Sequence, residues 1–170
     1  MKKIFVSFFA LLITASVYSA DLNTFYSKSD AFFKKYVSDG MVAYKTIKAS
    51  PSEITSLYDD IQKMDLSNAS EDEIKAFYIN AYNLIVIYQV SKYYPLKSPL
   101  DKSGFFDKVK HTVAGESITL NYLEIKKLIL TYQDPRIHFA LACAAVSCPP
   151  LASFAFKPAT MAAALTTRTK

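Results

Sequence analysis

Apolar residues recur at helical spacing in the first third of the chain. Leu22 to Val37 places them on one face, and Asp39-Gly40 marks the end of that helix. We interpret Met41 to Ile47 as a short extended segment. Ser50-Pro51-Ser52-Glu53 has the sequence of a capping box with proline in the first turn, and it predicts a second helix whose apolar face ends near Met64.

A longer helix is predicted in the middle of the chain. Ser70 and Glu73 form another capping box, and Ile74 to about Tyr93 is apolar on nearly every side. A helix with that pattern is expected to run through the core. Tyr94-Pro95 ends it, because the residue before a proline avoids helical angles.

The second half of the chain predicts a hairpin and two more helices. Val109 to Leu120 alternates about an Ala114-Gly115-Glu116 turn, which is typical of an antiparallel hairpin. Asn121 and Glu124 predict the cap of the next helix, with Leu120 packed on Ile125. Asp134-Pro135 is expected to open a last helix that stops by Ser147, before Cys148-Pro149-Pro150.

Together these elements predict the fold class. Several helices around a small antiparallel β-hairpin or sheet make an α+β domain in which helices dominate. Residues 21–170 have the length of one such domain. Twelve Tyr, twelve Phe and only three Gly exclude a disordered or collagenous chain.

The first 20 residues have the pattern of a cleavable signal peptide. Lys2 and Lys3 precede an apolar stretch from Ile4 to Val17, and cleavage is expected after Ser19 or Ala20. A membrane span needs about 20 apolar residues, and Asp21 arrives too soon for one. We therefore expect a periplasmic or secreted protein without a stable membrane anchor.

The charge of the chain excludes one class of partner. Removing residues 1–20 takes away two lysines and no acids, so the formal net charge falls from +5 to +3. No basic run exceeds two residues, so nucleic acid is not an expected partner. The expected partner is a small molecule or a peptide.

Several motifs, in order, strongly resemble the bacterial domain of unknown function 547 family. They are the run from Ala76 to Asn83, Tyr94-Pro95, Gly104-Phe105-Phe106, Val113-Ala114-Gly115, Thr119-Leu120-Asn121 with Glu124, Asp134 to Leu141, Cys143, and Ser147 to Pro150. The resemblance covers roughly Asp39 to Lys157. It implies no reaction, because the family has none agreed, but its members are often exported.

The chain departs from the family pattern in two places. Many members resemble Ile-Glu-His after the hairpin, whereas this chain has Leu123-Glu124-Ile125, which lowers the expectation of acid-base catalysis. Members also tend to continue well past the cysteine segment. The resemblance therefore predicts a C-terminal part that is truncated here, with apolar surface left uncovered.

Cys143 and Cys148 are the first candidates for chemistry. An even cysteine count in an oxidising compartment favours a disulfide. Five residues of helix separate two backbones by about 7.5 Å, beyond the usual disulfide range, so a bond requires the helix to break. A disulfide and a pair of free thiols both remain open at this point.

A cysteine nucleophile needs a base within hydrogen-bond reach. His138 is the obvious candidate base for Cys143, but on a continuous helix their side chains would lie about 140° apart. His111, on the predicted hairpin, could approach Cys143 only through the fold. The alternative is that His138 caps or packs structurally.

The remaining candidates are polar residues in apolar surroundings. Asn80 and Asn83 lie on one face of the most apolar helix, and a buried amide costs about 2–7 kcal/mol unless it has partners. Their partners are backbone groups, Glu124, Arg136 or a ligand, and the structural alternative is a polar network, joined by Tyr82, that fixes the helix against the hairpin. Arg136 either pairs with Asp134 or Glu124 or binds a ligand carboxylate.

These residues support three hypotheses about function. The leading one is binding of a small thiol-bearing or carboxylate-bearing peptide such as glutathione, with Asn80, Asn83, Tyr82, Glu124, Arg136 and Cys148 as ligand-binding residues. The alternatives are a cysteine-dependent, papain-like hydrolase or transferase using Cys143 and His138, and a structural or interaction module. No cofactor and no metal site is expected, because the two histidines are far apart in sequence.

Overall fold

The computed structural model describes residues 21–145 and 148–169, and the predicted signal peptide lies outside these residues. Seven α-helical segments and four short strands follow one another in the described chain. They are α1 (Leu22–Tyr36), β1 (Val37–Ser38), β2 (Met41–Val42), α2 (Tyr44–Ala49), α3 (Ser52–Lys63), α4 (Glu71–Tyr93), β3 (Lys110–Val113), β4 (Glu116–Thr119), α5 (Leu120–Tyr122), α6 (Leu130–Tyr132) and α7 (Met161–Arg168). The predicted α+β class is confirmed, since the described chain is mostly helical with two small antiparallel sheets.

Asp39-Gly40 does more than end the first helix. After α1 the backbone is extended at Val37, and Asp39 and Gly40 then form the turn of the β1–β2 hairpin, with φ angles of 50° and 76°. Val37 pairs with Val42, and Ser38 pairs with Met41. The left-handed angles at both turn positions are those that a two-residue hairpin turn requires.

Two predictions for the segment after this hairpin are wrong. The extended segment ends at Val42, and residues 44–49 form α2 instead. The Ser50 capping box does not form, because the Ser50 N–H closes α2 by donating to the Thr46 carbonyl. The Glu53 carboxylate accepts from the Tyr36 hydroxyl, at 3.0 Å, instead of reaching back to Ser50.

Helix α4 is the centre of the core, as its apolar pattern predicted. Ser70 and Glu73 form the capping box at its start. Fourteen of its 23 residues are buried, including both asparagines, so neighbouring elements cover it on every side. Among the described residues, no helix is long and apolar enough to cross a membrane.

The β3–β4 hairpin forms where it was predicted. His111 pairs with Ile118, and Ala114 and Gly115 make the turn with φ angles of 48° and 80°. The turn is held against α3 because the Ala114 N–H donates to the Ile61 carbonyl at 2.9 Å.

The helix after β4 starts differently from the prediction. Its cap is Thr119, whose hydroxyl accepts the Tyr122 N–H at 3.1 Å, so the predicted cap at Asn121 with Glu124 is wrong. Leu123–Ile129, between α5 and α6, is a π-helix. The predicted packing of Leu120 on Ile125 is also wrong, since Leu120 is buried and Ile125 is 47% exposed.

The last helix predicted, through Ser147, is wrong after Ala140. Residues Pro135–Ala140 form a 3₁₀-helix, and the chain is extended at Leu141 and left-handed at Ala144. Helix α7 follows a 3₁₀ turn, Pro158–Thr160, and was not anticipated from the sequence.

Candidate functional site beside the cysteine pair

A cavity of about 250 Å³ opens between the β1–β2 hairpin, helix α4 and the cysteine segment. The hairpin side is formed by the Asp39-Gly40 turn, β2 and Tyr44. The floor comes from three residues of α4, which are Asn83, Val86 and Ile87. The far wall is the cysteine segment, with Ala142, Ala144, Ala145 and the run from Cys148 to Leu151. The lining is mainly apolar.

Cys143 and Cys148 form a disulfide in this wall. Their Cα atoms lie 6.0 Å apart, within the usual range, because the chain has left the helical path between them. The predicted helix break is therefore present, and of the two alternatives left open the structure contains the disulfide. Both cysteines are only half-buried, and Cys148 lines the cavity.

Asn83 holds the chain on its way into the disulfide. Its Nδ2 donates to the Ala140 carbonyl at 2.9 Å, and its Oδ1 accepts the Ala142 N–H at 2.9 Å. The side chain is 2% exposed and also forms part of the cavity floor. The Asn83 side chain thus bonds two backbone groups that would otherwise need partners in a helix or a sheet, and the segment leaves the helical path after Ala140.

Asn80 does the same further along the chain. Its amide pairs with both backbone groups of Phe156, donating at 2.7 Å and accepting at 2.9 Å. It also donates to the Ala76 carbonyl at 2.9 Å, and it does not line the cavity. The two asparagines therefore fasten both ends of the segment that carries the disulfide onto α4. Both amides are therefore satisfied by backbone groups, as one expected alternative had it, but they hold the C-terminal segment and not the hairpin.

Tyr82 and Glu124 form a separate pair. The Tyr82 hydroxyl donates to the Glu124 carboxylate at 3.1 Å, in the π-helical segment. Burial, with Glu124 nearby, raises the pKa of Tyr82 well above its usual value, so it stays neutral. Neither residue lines the cavity.

Arg136 is occupied by protein groups. Its Nε and Nη2 donate to the two Asp134 oxygens at 2.9 and 2.7 Å, and its Nη1 donates to the Thr166 hydroxyl at 2.9 Å. The guanidinium hydrogen bond lowers the pKa of Asp134. Of the expected partners of Arg136, the structure therefore contains Asp134. The hydrogen bond to Thr166 links α7 to the 3₁₀-helix.

The fold does not bring either histidine into a hydrogen bond with a cysteine among the described residues. His138 is exposed on the 3₁₀-helix. His111 is 5% exposed, and both of its ring nitrogens are occupied, Nε2 by Gln89 Oε1 at 2.6 Å and Nδ1 by the Tyr58 hydroxyl at 3.0 Å.

The hydrogen bonds around His111 define its protonation. Gln89 donates from Nε2 to the Phe105 carbonyl at 3.0 Å, so its Oε1 must accept the His111 Nε2–H. Nδ1 is then an acceptor for the Tyr58 hydroxyl. Burial, with Lys92 nearby, lowers the pKa of His111 to about 4, so the ring is a neutral structural group.

The electrostatic character of the cavity comes from few groups. Asp39 is the one acidic residue of the described lining, which contains no lysine or arginine. Burial raises the pKa of Tyr44 to about 12, so this phenol is neutral. Within the described residues, no three His, Cys, Asp or Glu side chains group as a metal site would require.

The hairpin side of the cavity was not predicted from the sequence. Met41, Val42 and Tyr44 were interpreted as one extended segment, and Pro150 only as a helix stop. The signal was present, because Asp-Gly between apolar residues is among the strongest short-range indications of a hairpin. Gly40 contacts Pro150 closely enough that an added Cβ would overlap the proline ring, so this turn and the cysteine segment meet at one end of the cavity.

Comparison with known families places residues 66–170 in one of them. The family described as "Protein of unknown function, DUF547" matches that range. The match begins at residue 66, later than Asp39, where the resemblance was expected to start. The hairpin side of the cavity therefore lies outside the matched range, whereas α4 and the cysteine segment lie within it. No curated protein and no solved structure matches this chain.

Proposed function

This chain belongs to the DUF547 family of proteins of unknown function, and we propose that it binds a small thiol-bearing peptide and exchanges its disulfide with that thiol. The observation that carries the proposal is the position of Cys148. Cys148, one residue of the disulfide pair, lines an apolar cavity, so a thiol bound in the cavity would lie near the disulfide.

The lining favours the thiol part of the expected ligand class over the carboxylate part. The described lining contains no lysine or arginine, and its one acidic residue is Asp39. Arg136, the expected partner for a ligand carboxylate, is paired with Asp134. Glutathione carries two carboxylates, so a neutral or basic peptide with an apolar residue beside its cysteine fits the cavity better.

Size supports a ligand that is only partly enclosed. Cavities that enclose small ligands usually measure about 300–1,000 Å³. The cavity here is about 250 Å³, which suits one or two side chains of a peptide. The rest of the ligand would lie across the opening.

The proposed step balances without any further reactant. The ligand thiol loses its proton to water, and its thiolate forms a bond to Cys148 Sγ. The bond between the two protein sulfurs breaks, and Cys143 leaves as a thiolate that takes up a proton. The ligand sulfur is oxidised to a mixed disulfide, and Cys143 is reduced.

Export is part of the same proposal. Disulfides persist in oxidising compartments and are reduced in the cytosol. The signal peptide predicted over residues 1–20 supports a periplasmic or secreted location, where the disulfide would be the resting form. Removing that segment and locating the protein by cell fractionation tests this part directly.

The exchange is tested by trapping the mixed disulfide. The oxidised protein is incubated with the peptide acetyl-Val-Cys-Val-amide or with glutathione, free thiols are alkylated, and the adduct is mapped by mass spectrometry. We expect the peptide on Cys148, the alkyl group on Cys143, and a higher yield with the peptide than with glutathione. An adduct on Cys143 alone, or no adduct under conditions in which dithiothreitol reduces the disulfide, overturns the proposal.

Matched variants separate the two sulfurs. Cys143→Ser retains the cavity thiol, and Cys148→Ser retains the other one. With the symmetrical disulfide of the same peptide as the probe, Cys143→Ser should react with a saturable rate, as binding before reaction requires. Equal, unsaturated rates for the two variants would contradict a binding site at Cys148.

A further inference from the structure

The β1–β2 hairpin leaves Val42 with outward main-chain groups that no described residue pairs. Ala43 N–H donates to the Tyr36 carbonyl at 2.9 Å, so Tyr36 and Ala43 are a hydrogen-bonded pair. Hydrogen-bonded and non-hydrogen-bonded pairs alternate along an antiparallel ladder, which makes Val37 and Val42 a non-hydrogen-bonded pair. The N–H and C=O of Val42 therefore point away from β1.

The outward groups of the two strands have different surroundings. On β1, the Val37 N–H donates to the Phe33 carbonyl at the end of α1. On β2, no hydrogen bond joins the Val42 main chain to another described residue. An unpaired strand edge of this kind is a template for another strand.

The cavity lies on the β2 side of the hairpin. Both β2 residues and the Asp39-Gly40 turn line it, whereas neither β1 residue does. The opposite wall includes Pro149 and Pro150, which have no N–H to offer to a strand. Neither proline can therefore donate a backbone hydrogen bond to the Val42 C=O.

We infer that β2 is the docking edge for an extended peptide, which adds as a third strand and pairs with the Val42 N–H and C=O. One apolar side chain of the peptide enters the cavity, and its cysteine faces the disulfide. The inference rests on the proposed function, and it names the ligand as a peptide segment of a protein or oligopeptide. Strand addition takes its affinity from main-chain hydrogen bonds and its specificity from pockets for alternate side chains.

Charge selects among such peptides. Asp39 is at the turn end of β2, and its side chain is exposed; among the described residues, only the Ser38 hydroxyl donates to its carboxylate, at 3.3 Å. A lysine or arginine of the peptide that lies beside the turn would pair with this carboxylate. The occupant is therefore a neutral to basic extended segment that carries a cysteine, an apolar residue and a basic residue.

The inference is tested without the thiol reaction. The probe is acetyl-Ser-Val-Lys-Val-Ser-amide with a fluorescent label, and its binding to the oxidised protein is measured by fluorescence polarisation. A set of five analogues carries one N-methyl group each, moved along the backbone. Because Val42 offers the one outward C=O of β2, a single N–H of the peptide donates to it, so methylation should weaken binding at one position only, by about fivefold for one lost hydrogen bond.

Protein variants give a second, independent measurement. Val42→Pro removes the outward N–H at a position where an edge strand tolerates proline, and Val42→Ala retains that N–H as the matched control. Asp39→Asn retains a residue that accepts the left-handed turn, and it should weaken the lysine probe by about two- to fivefold. It should leave a probe with norleucine in place of lysine unaffected.

The outcomes separate this inference from the proposed function. Uniform or absent effects of N-methylation, together with equal binding by Val42→Pro and Val42→Ala, overturn strand addition even where the mixed disulfide forms. Probe binding that N-methylation weakens at one position only, but no mixed disulfide with any cysteine peptide, supports the docking edge and overturns the exchange step.

Discussion

Changing Asn83 to aspartate tests how the cysteine segment is held against α4. The substitution preserves shape but replaces the Nδ2 donor with an oxygen. That oxygen would lie about 2.9 Å from the Ala140 carbonyl oxygen, the distance at which Nδ2 now donates. Asn83→Asp therefore places two acceptors against each other in a site that is 2% exposed.

The magnitude follows from the pKa of the introduced carboxyl. Burial raises the pKa of a carboxyl by up to 3–5 units in documented cases, and an aspartate in the unfolded chain titrates near 3.9. A rise of about three units corresponds to about 4 kcal/mol of lost stability at pH 7, at 1.36 kcal/mol per unit. That is a large part of the roughly 5–15 kcal/mol that stabilises a domain.

The pH dependence gives the sharper test. A protonated carboxyl donates to the Ala140 carbonyl and accepts the Ala142 N–H, which restores both bonds of the amide. Because the folded-state pKa is raised, the deficit is small below the unfolded pKa and grows as pH rises toward the folded pKa. Between pH 5 and 7 the difference from wild type should therefore grow by about 2 kcal/mol.

Urea unfolding followed by circular dichroism at 222 nm measures this difference, since the chain contains no tryptophan. Asn80→Asp is the matched control. The Asn80 amide donates to two carbonyls, and a protonated carboxyl can donate to only one. Its stability should remain about 1–3 kcal/mol below wild type at low pH. A deficit for Asn83→Asp that is constant with pH, or that grows on acidification, would refute the reasoning.

Three further predictions concern other parts of the fold. Burial, with Lys92 nearby, lowers the pKa of His111 to about 4, so only the unfolded ring takes up a proton between pH 6.5 and 4. The free energy of unfolding of the wild type should therefore fall by about 3 kcal/mol over this range. Urea titrations should show that His111→Gln loses this pH dependence and that His138→Gln keeps it. Reducing the disulfide opens a loop of about six residues and should lower the free energy of unfolding by about 2 kcal/mol, measured in urea with and without reductant. Gly40→Ala should lower the melting temperature more than Gly115→Ala, because both positions have a positive φ but only the first Cβ would overlap Pro150; equal shifts would show that the contact contributes nothing.

Local sequence was sufficient for the central helix and the second hairpin. The capping box of Ser70 with Glu73, the apolar run after it and the proline at position 95 all act within a few residues, so their effect is visible in the pattern. The Ala114-Gly115 turn is local in the same way. The sequence also required that Asn80 and Asn83 have partners once buried, which follows from the cost of an unpaired amide.

The local pattern failed where a distant residue supplies the hydrogen bonds. Residues 135–147 carry a helical pattern, yet Asn83, 57 positions before Ala140, takes the carbonyl that a continuing helix would use. The Ser50 capping box failed because the preceding helix α2 already uses that backbone N–H. In both cases another part of the chain forms the hydrogen bond that the predicted element needed. A local sequence pattern does not include that other part.

The candidate site depends on the same long-range contacts. Residue types and spacing established that the chain has two cysteines, buried amides and an apolar core helix, because burial and helical periodicity act along the chain itself. Only the folded chain brings Cys148 and Asn83 to the same cavity as β2, and only there are Arg136 and His111 occupied by Asp134, Gln89 and Tyr58. Such contacts depend on how segments far apart in sequence pack together, and residue spacing carries no record of that packing.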